Sequence, residues 1–265
     1  MLPFINIFGK DIAMYGVLIF LGLIIGIIFA VYYFSRFYDI KKEDIFYSIL
    51  FGIIGLGIGA KILYILTAIP SIIQNLNNTD IGTLIMQLLR GGFVFYGGLI
   101  GGILGIYIYA KVFKISFKKL LLIIVPCIPL VHAFGRIGCL LAGCCYGMEY
   151  NGFGHIIFTN TPYAPNNIPL FPSQLIEAIC NTIIFIVLLV TYKKFTGTYK
   201  TIGIYCILYS IVRFTLEFFR GDAIRGIVLH LSTSQWISII LFIIGIAIFV
   251  YENKKKSKIC EERDD

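Results

Sequence analysis

Two arginines and a glutamate interrupt an otherwise apolar segment in the last quarter of the chain. Arg213, Glu217 and Arg220 lie in or just beyond the stretch from Ile202 to Phe219. An ionised side chain at bilayer depth costs roughly 2.5–3.5 kcal/mol, so it usually marks a polar cavity. At about 100° per residue, Tyr209 joins these three residues on one stripe of a helix. The alternative is that Arg213 and Glu217 only neutralise each other, with Arg220 as an interfacial anchor.

A third arginine lies in another apolar segment. Arg136 belongs to the stretch from His132 to Gly138, which follows two prolines that can break a helix. A guanidinium is permanently charged and its fork suits phosphate oxygens. The stretch from Gly91 to Gly102 places six glycines in twelve residues, which either lets helices approach closely or exposes backbone N–H groups to an anion. Together these segments predict a phosphate-binding pocket within reach of lipid.

A polar group also opens the apolar segment that begins near Pro172. Ser173 is predicted to cap a helix there, and Gln174 and Glu177 would share one face of it. These two residues are candidates for the pocket. The alternative is that they serve only the capping and dipole of the helix.

Three of the seven cysteines, Cys139, Cys144 and Cys145, follow Arg136 closely. Their spacing is not a strong zinc pattern, so packing of small apolar side chains is the favoured interpretation and no metal is expected. Three alternatives remain open. They are a disulfide on an oxidising face, a metal site completed by His132, and a nucleophilic thiol activated by Arg136.

Composition places the chain in the membrane class. Hydrophobic residues make up 58% and charged residues 14% of the 265 residues, and the mean hydropathy is +0.90. A bilayer core about 30 Å thick needs about 20 apolar residues per spanning helix. We therefore predict an all-α integral membrane protein with seven transmembrane helices. The predicted spans are Ile12–Phe34, Ile45–Thr67, Phe93–Ala110, Leu120–Leu141, Pro172–Tyr192, Ile202–Phe219 and Ser232–Tyr251.

Basic residues predict the orientation of these helices. Lysine and arginine accumulate in the cytoplasmic loops of membrane proteins. Most of the 22 basic residues follow the first, third, fifth and seventh spans, so the N-terminus is expected outside and the C-terminus in the cytoplasm. The predicted organisation is a membrane domain over residues 1–252 and a charged cytoplasmic tail over 253–265. This bias accounts for the net charge of +8, so no nucleic-acid partner is expected.

The two longest polar connections fall on the predicted outer side of the membrane. Pro70 to Arg90 is rich in asparagine, and Gly143 to Phe171 carries several prolines and asparagines as turn signals. The cytoplasmic connections are shorter. We therefore expect an extracytoplasmic lid over the site.

In their order along the chain, these segments resemble the prolipoprotein diacylglyceryl transferase family, in a variant with a cysteine-rich segment. Each matching piece is weak alone, but the ordered set from Tyr15 to Gln235 is specific. The pieces are Tyr15-Gly16, Tyr96–Gly101, Gly135–Gly138, Pro172–Leu175 with Glu177, Arg213–Asp222 and Ser232–Gln235.

The resemblance implies a seven-helix enzyme of the bacterial cytoplasmic membrane that starts lipoprotein maturation. Such an enzyme transfers the diacylglyceryl group of phosphatidylglycerol to the lipobox cysteine thiol of a prolipoprotein signal peptide and releases glycerol phosphate. Phosphatidylglycerol, other membrane lipid and the prolipoprotein are therefore the expected partners. No cofactor is expected.

The resemblance also implies roles for individual residues. Arg136 and Arg213 would stabilise the charge on the departing phosphate, with Glu217 orienting Arg213 and Tyr96 offering a hydrogen bond. Substrate contacts are expected from Tyr15, Gly97, Gly98, Gly101, Gly138, Gly147, Gln174, Tyr209 and Arg220.

The chain departs from the family pattern at two places. Tyr96 stands where a histidine is usual, and a phenol with an ordinary pKa of about 10 is a poor base at neutral pH. Cys139, Ala142 and Cys144 stand where two asparagines and a glutamate are usual. Two other functions therefore remain open: a relative that uses a different acceptor, and a phospholipid-binding or transport protein without the chemistry.

Overall fold

The computed structural model describes residues 3–7, 9–75, 80, 82, 86, 91–92, 94–222 and 226–264. Helices dominate these residues, and the α-helices are α1 Met14–Ile28, α2 Lys42–Asn75, α3 Phe95–Val112, α4 Phe117–Ile124, α5 Ile128–Ala142, α6 Ser173–Thr191, α7 Lys200–Glu217 and α8 Thr233–Asp264. A π-helical segment followed by a 3₁₀ turn extends α1 to Phe37. A 3₁₀ turn over Val125–Cys127 joins α4 to α5, and another extends α6 to Phe195. Three antiparallel hairpins accompany the helices: β1 Phe4–Ile7 with β2 Lys10–Ala13, β3 Ile156–Ile157 with β4 Pro169–Leu170, and β5 Ile227–Val228 with β6 Leu231–Ser232.

The described helices agree with the predicted all-α membrane class. Large apolar side chains such as Phe20 and Val190 are exposed along them, as lipid contact requires. By length and composition, six helical segments of the described residues could cross a membrane: Met14–Phe37, Lys42–Pro70, Phe95–Val112, Phe117–Ala142, Ser173–Phe195 and Thr233–Lys255. The predicted span Ile202–Phe219 corresponds to α7, whose charged residues keep it out of that set. The seventh span and the orientation stay predictions.

The chain divides into two compact units, of which the second comprises Phe34–Leu121. In this unit α2 and α3 pack antiparallel through their glycines. A Cβ added to Gly101 would overlap the carbonyl oxygen of Gly55, and one added to Gly97 would overlap that of Gly59. Glycine lets helix backbones approach closely in membranes. The close-contact interpretation of the glycine-rich stretch is therefore confirmed.

The first unit comprises Met1–Tyr33 and Leu122–Asp265. A Cβ added to Gly22 of α1 would lie 2.7 Å from Cβ of Phe134, so α1 and α5 are also in close contact. The hydroxyl of Tyr192, at the end of α6, donates a hydrogen bond to the carbonyl of Leu122 at 2.9 Å. Helix α7 packs along α8, where Gly203 and Gly245 meet. These contacts join α1 to α5, the end of α6 to α4, and α7 to α8 within this unit.

The structure differs from the predicted boundaries at several points. Helix α2 continues through Pro70 to Asn75, so the predicted connection does not start at Pro70. Most of that connection, including Arg90, and the residues Phe93 and Arg225 lie outside the described residues. The N-terminal hairpin was not predicted, because β1 and β2 are only four residues each. Helix α8 runs on to Asp264, so the predicted tail begins inside a helix.

Candidate active site

Glu177 on α6 lies at the centre of a buried group of charges in the first unit. Its Oε1 lies 2.8 Å from Nη2 of Arg136 on α5 and 3.5 Å from Nε2 of His132. Its Oε2 lies 4.0 Å from Nη1 of Arg213 on α7. The residue is 1% exposed. One carboxylate therefore links two arginines that come from different helices.

A second carboxylate holds Arg213 from its own helix. Nη2 of Arg213 lies 2.7 Å from Oε2 of Glu217, one turn later on α7, and it also donates a hydrogen bond to Oγ of Ser234 at 3.1 Å. The i,i+4 contact is confirmed, but the two residues do not only neutralise each other, because Arg213 also contacts Glu177 and Ser234. We call Arg136, Glu177, Arg213 and Glu217 the charge cluster.

A capping box fixes the start of α8 and with it Ser234. The backbone N–H of Ser232 donates to Oε1 of Gln235 at 2.9 Å, and the backbone N–H of Gln235 donates to Oγ of Ser232 at 3.2 Å. Such reciprocal bonds satisfy N–H groups that the first helical turn leaves without partners. The rigid helix start therefore presents Ser234 to Arg213.

The charge cluster is formally neutral but leaves one donor available. The two arginines and two glutamates balance each other, and all four side chains are at most 12% exposed. Among the described residues, Nη1 of Arg213 is buried without a hydrogen-bond acceptor, and Oε2 of Glu177 lies 4.0 Å from it. A buried donor without an acceptor costs about 1–3 kcal/mol. An anionic ligand oxygen bound there would recover that energy.

Of the residues predicted to share one stripe of a helix, Tyr209, Arg213 and Glu217 lie on α7. The ring of Tyr209 packs against the ring of His132 at 5.5 Å between centroids, so Tyr209 faces α5. The helix ends at Glu217, and Arg220 lies in the turn beyond it. There the guanidinium of Arg220 makes two hydrogen bonds to the carboxylate of Asp222, at 2.9 and 2.7 Å. The placement of Arg220 on the helical stripe was therefore wrong.

The predicted cap on α6 is also wrong, because the helix begins one residue earlier than a Ser173 cap requires. Pro172 occupies the N-cap position and makes no side-chain capping bond. The hydroxyl of Ser173 instead donates to the carbonyl of Cys145 at 3.2 Å, and Nε2 of Gln174 donates to the carbonyl of Cys144 at 2.9 Å. Both side chains therefore hold the segment that follows α5.

The end of α5 brings three thiols together. Gly143 has a φ of +74°, and the backbone N–H groups of Gly143 and Cys144 turn back to the carbonyls of Leu140 and Cys139. This left-handed termination folds the chain back over the last helical turn. The sulfur atoms of Cys139, Cys144 and Cys145 all lie within 4.8 Å of one another, and these cysteines are free. We call them the thiol cluster.

The neighbouring thiols and a guanidinium shift the pKa values of Cys144 and Cys145. Bonds from the other two thiols lower the pKa of Cys145, and the guanidinium of Arg220 lowers it further. A hydrogen bond with Cys139 favours the thiolate of Cys144. The bond that Cys144 makes to Cys145, together with burial, nevertheless raises the pKa of Cys144 to about 11.

The segment after the thiol cluster is paired on both sides. The backbone N–H of Met148 donates to the carbonyl of Phe219, and that of Phe171 donates to the carbonyl of Met148, each at 2.9 Å. A β-bridge joins Gly147 to Arg220. A Cβ added to Gly147 would overlap the carbonyl oxygen of Phe171, which explains the glycine. This pairing brings Arg220 close to the thiol cluster.

The other predicted substrate contacts are distributed over both units. Tyr15 and Gly138 meet where α1 crosses α5, with 3.1 Å between Cα of Tyr15 and a Cβ built on Gly138. Tyr96 lies at the start of α3 in the second unit, with Gly97, Gly98 and Gly101 on the same helix. The substrate roles assigned to all of these residues stay predictions.

The sequence assigned no definite role in the site to three residues that the structure places there. Glu177 was considered, but its position in the first turn of α6 also fitted a capping role. His132 was weighed only as a metal ligand, one turn before Arg136. Ser234 lies in the family-like segment Ser232–Gln235, but a serine in the first turn of a helix is ordinary, so nothing singled it out. Only the meeting of α5, α6, α7 and α8 assigns these three residues to the site.

Comparison with known proteins gives a consistent result over nearly the whole chain. A family model described as prolipoprotein diacylglyceryl transferase matches residues 3–251. A phosphatidylglycerol–prolipoprotein diacylglyceryl transferase of Clostridium tetani is 38% identical over 251 residues, which cover 95% of this chain and 97% of the relative. A protein named phosphatidylglycerol–prolipoprotein diacylglyceryl transferase 2, of Clostridium perfringens, is 39% identical and covers 96% of each chain. A phosphatidylglycerol–prolipoprotein diacylglyceryl transferase of Clostridioides difficile is 36% identical, and the match covers 97% of this chain and 98% of the relative.

Proposed function

Because the chain belongs to the prolipoprotein diacylglyceryl transferase family, we propose that the charge cluster is the site of its reaction. The protein is a transferase that moves a diacylglyceryl group to prolipoproteins. The donor is phosphatidylglycerol, and the acceptor is the thiol of the lipobox cysteine.

The reaction exchanges a carbon–oxygen bond for a carbon–sulfur bond. The acceptor sulfur, as a thiolate, attacks the glycerol carbon of the lipid that is bonded to a phosphate oxygen. As the new bond forms, the electron pair of the broken bond goes to that oxygen and glycerol phosphate leaves. Negative charge therefore increases on the phosphate in the transition state. Fixed positive groups at that point lower the barrier most effectively.

Arg213 carries this proposal. Its buried Nη1 has no hydrogen-bond acceptor among the described residues, so a phosphate oxygen bound there satisfies it. Its Nη2 is already held by Glu217 and Ser234, so the guanidinium is oriented before the lipid binds. Arginine binds phosphate oxygens through charge-assisted hydrogen bonds. The arrangement needs little reorganisation when the charge develops.

Arg136 is the second phosphate-binding group of the proposed site. Its contact with Glu177 at 2.8 Å keeps the guanidinium at the same carboxylate that Arg213 approaches. Both arginines then bind one phosphate. When the lipid is absent, the negative charge of Glu177 offsets the repulsion between the two guanidinium groups. Glu177 is therefore a positioning residue for both arginines.

The proposed topology has seven spans, with the N-terminus outside and the C-terminus in the cytoplasm of the inner membrane. Helix α7 has 18 residues, a length of about 27 Å, which approaches the thickness of the hydrocarbon core. Glu177 lies near the start of α6, and Arg213 and Glu217 lie near the end of α7. Lys193 and Lys200, at the opposite ends of these helices, belong to the cytoplasmic set. The site therefore opens toward the side where exported prolipoproteins emerge.

Mass spectrometry of a lipobox peptide tests the function. Purified protein in detergent, given phosphatidylglycerol, should add a diacylglyceryl mass to the peptide cysteine. Arg136→Ala should lower the rate by orders of magnitude, while the matched change at the exposed Arg36 should leave it unchanged. A folded wild type that binds phosphatidylglycerol but adds no mass would favour the phospholipid-binding alternative. Addition to another acceptor would favour the divergent relative.

A further inference from the structure

The thiol cluster has no part in the phosphate chemistry described above. We propose that Cys139, Cys144 and Cys145 bind one Zn²⁺ ion, and that its fourth coordination position takes the thiolate of the acceptor cysteine. The second half of this proposal rests on the proposed function. The first half stands on the geometry of the three thiols alone.

The spacing of the sulfur atoms suits a single thiophilic ion. Zinc binds thiolates at about 2.3 Å in a tetrahedral arrangement, which sets its sulfur ligands about 3.8 Å apart. The three sulfurs already lie within 4.8 Å of one another, so small side-chain rotations close the site. In the described part of the chain, the group contains three ligand residues and not four. Three protein ligands with an open fourth position are typical of reactive zinc sites, whereas structural sites have four.

The backbone around the thiols is fixed in advance. Ser173 and Gln174 are 0% and 1% exposed, and they hold the carbonyls of Cys145 and Cys144 by hydrogen bonds. Cys145 has a φ of +59°, a left-handed conformation that costs a residue with a side chain about 1–3 kcal/mol. In this conformation its sulfur joins the other two. Three small apolar side chains that only filled space would not require that strained backbone.

Two guanidinium groups lie near the proposed zinc–thiolate site. Three thiolates and Zn²⁺ carry a net charge of −1, and a fourth thiolate makes it −2. Arg136 lies three residues before Cys139 on α5, and residues at that spacing are neighbours on a helix surface. Arg220 is held nearby through its bridge to Gly147. Each guanidinium is also paired with a carboxylate, Glu177 or Asp222, so the two groups reduce but do not cancel the repulsion that the added negative charge meets.

A zinc ion in this position provides a way to activate the acceptor thiol. A thiol that coordinates Zn²⁺ loses its proton, here to water. The coordinated sulfur keeps an electron pair that attacks the lipid carbon, as described above. The product is an uncharged thioether, which binds Zn²⁺ weakly and leaves. The ion remains on the three protein thiolates and is ready for the next acceptor.

Metal content and a cobalt probe test the two halves separately. Full-length protein purified in detergent under reducing conditions should contain one zinc per chain. Cys144→Ser and Cys145→Ser should lose the ion, whereas Cys206→Ser, a thiol of α7 outside the cluster, should keep it. With Co²⁺ in place of zinc, a lipobox peptide should raise the thiolate-to-cobalt absorption by about a third, because four thiolates replace three. A peptide with serine at the lipobox cysteine should not.

The possible failures are distinguishable. Wild-type protein that transfers the lipid with no metal, or with two of the three thiols joined in a disulfide, would overturn the zinc site and leave the proposed function intact. If the protein binds the metal and transfers the lipid, but its cobalt spectrum does not change when the peptide is added, the acceptor thiolate does not coordinate the metal. That result would overturn the second half of the proposal. A cobalt spectrum that responds to the peptide without any transfer would support the zinc site and count against the proposed function.

Discussion

Replacing Glu177 by glutamine isolates the charge at the centre of the site. Glutamine has nearly the same shape and can still accept a hydrogen bond, so the cavity and most packing are kept. What is lost is the negative charge that lies 2.8 Å from Arg136 and 4.0 Å from Arg213. We expect both guanidinium groups to move out of the positions from which they meet the phosphate.

The size of the effect follows from these two contacts. A charge-assisted contact such as the 2.8 Å pair with Arg136 is worth about 1–1.5 kcal/mol more than a neutral one. Arg213, at 4.0 Å, is beyond hydrogen-bond distance and loses only the attraction of the charge, which adds to this figure. Since each 1.4 kcal/mol or so is a factor of ten in rate, kcat/KM should fall at least about 5- to 15-fold.

Glu252 offers a matched control for the same substitution. It is also buried, at 7% exposed, and its Oε1 accepts a hydrogen bond from the backbone N–H of Tyr199 at 3.2 Å, away from the charge cluster. Glu177→Gln and Glu252→Gln should lower the melting temperature in detergent by similar amounts. Only Glu177→Gln should lower kcat in the peptide assay. A folded Glu177→Gln protein with wild-type kcat/KM would refute the positioning role.

Three further outcomes are expected. Arg213→Lys should lower kcat at least about tenfold, because an ammonium cannot hold its neighbouring carboxylate and reach the phosphate as a guanidinium does; unchanged kinetics would contradict this. Gly59→Ala should lower the melting temperature, since its Cβ overlaps the carbonyl oxygen of Gly97 and overpacking costs about 1–3 kcal/mol, whereas Gly57→Ala meets no atom within 4 Å. Equal melting temperatures of these two variants would argue against the helix contact. Lys254–Lys258 should react with an impermeant amine reagent only after cell lysis, and labelling of intact cells would reverse the proposed orientation.

Several features of the site could be predicted because they are local in the sequence. Arg213 and Glu217 are one helical turn apart, so their pairing follows from helix geometry alone. The burial of Arg136 within an apolar segment was equally visible. Arg220 was misplaced for a local reason as well, since periodicity does not reveal that α7 ends at Glu217. The end of a helix depends on what pairs with the following turn, here the segment from Tyr146 to Met148.

Glu177 and the thiol cluster depended on contacts between segments distant in sequence. Glu177 lies about forty residues from each of the two arginines it contacts, so only the packing of α5, α6 and α7 selects it over a capping role. Cys145 joins the other thiols because its backbone is left-handed. Hydrogen bonds from Ser173 and Gln174 to the carbonyls of Cys145 and Cys144 help to hold that backbone. Composition and periodicity by themselves determined the membrane class, the helices and the need for paired charges, because the bilayer penalises each unpaired charge wherever it occurs. The tertiary structure decided which charge meets which, because that depends on distances between helices that no local pattern encodes.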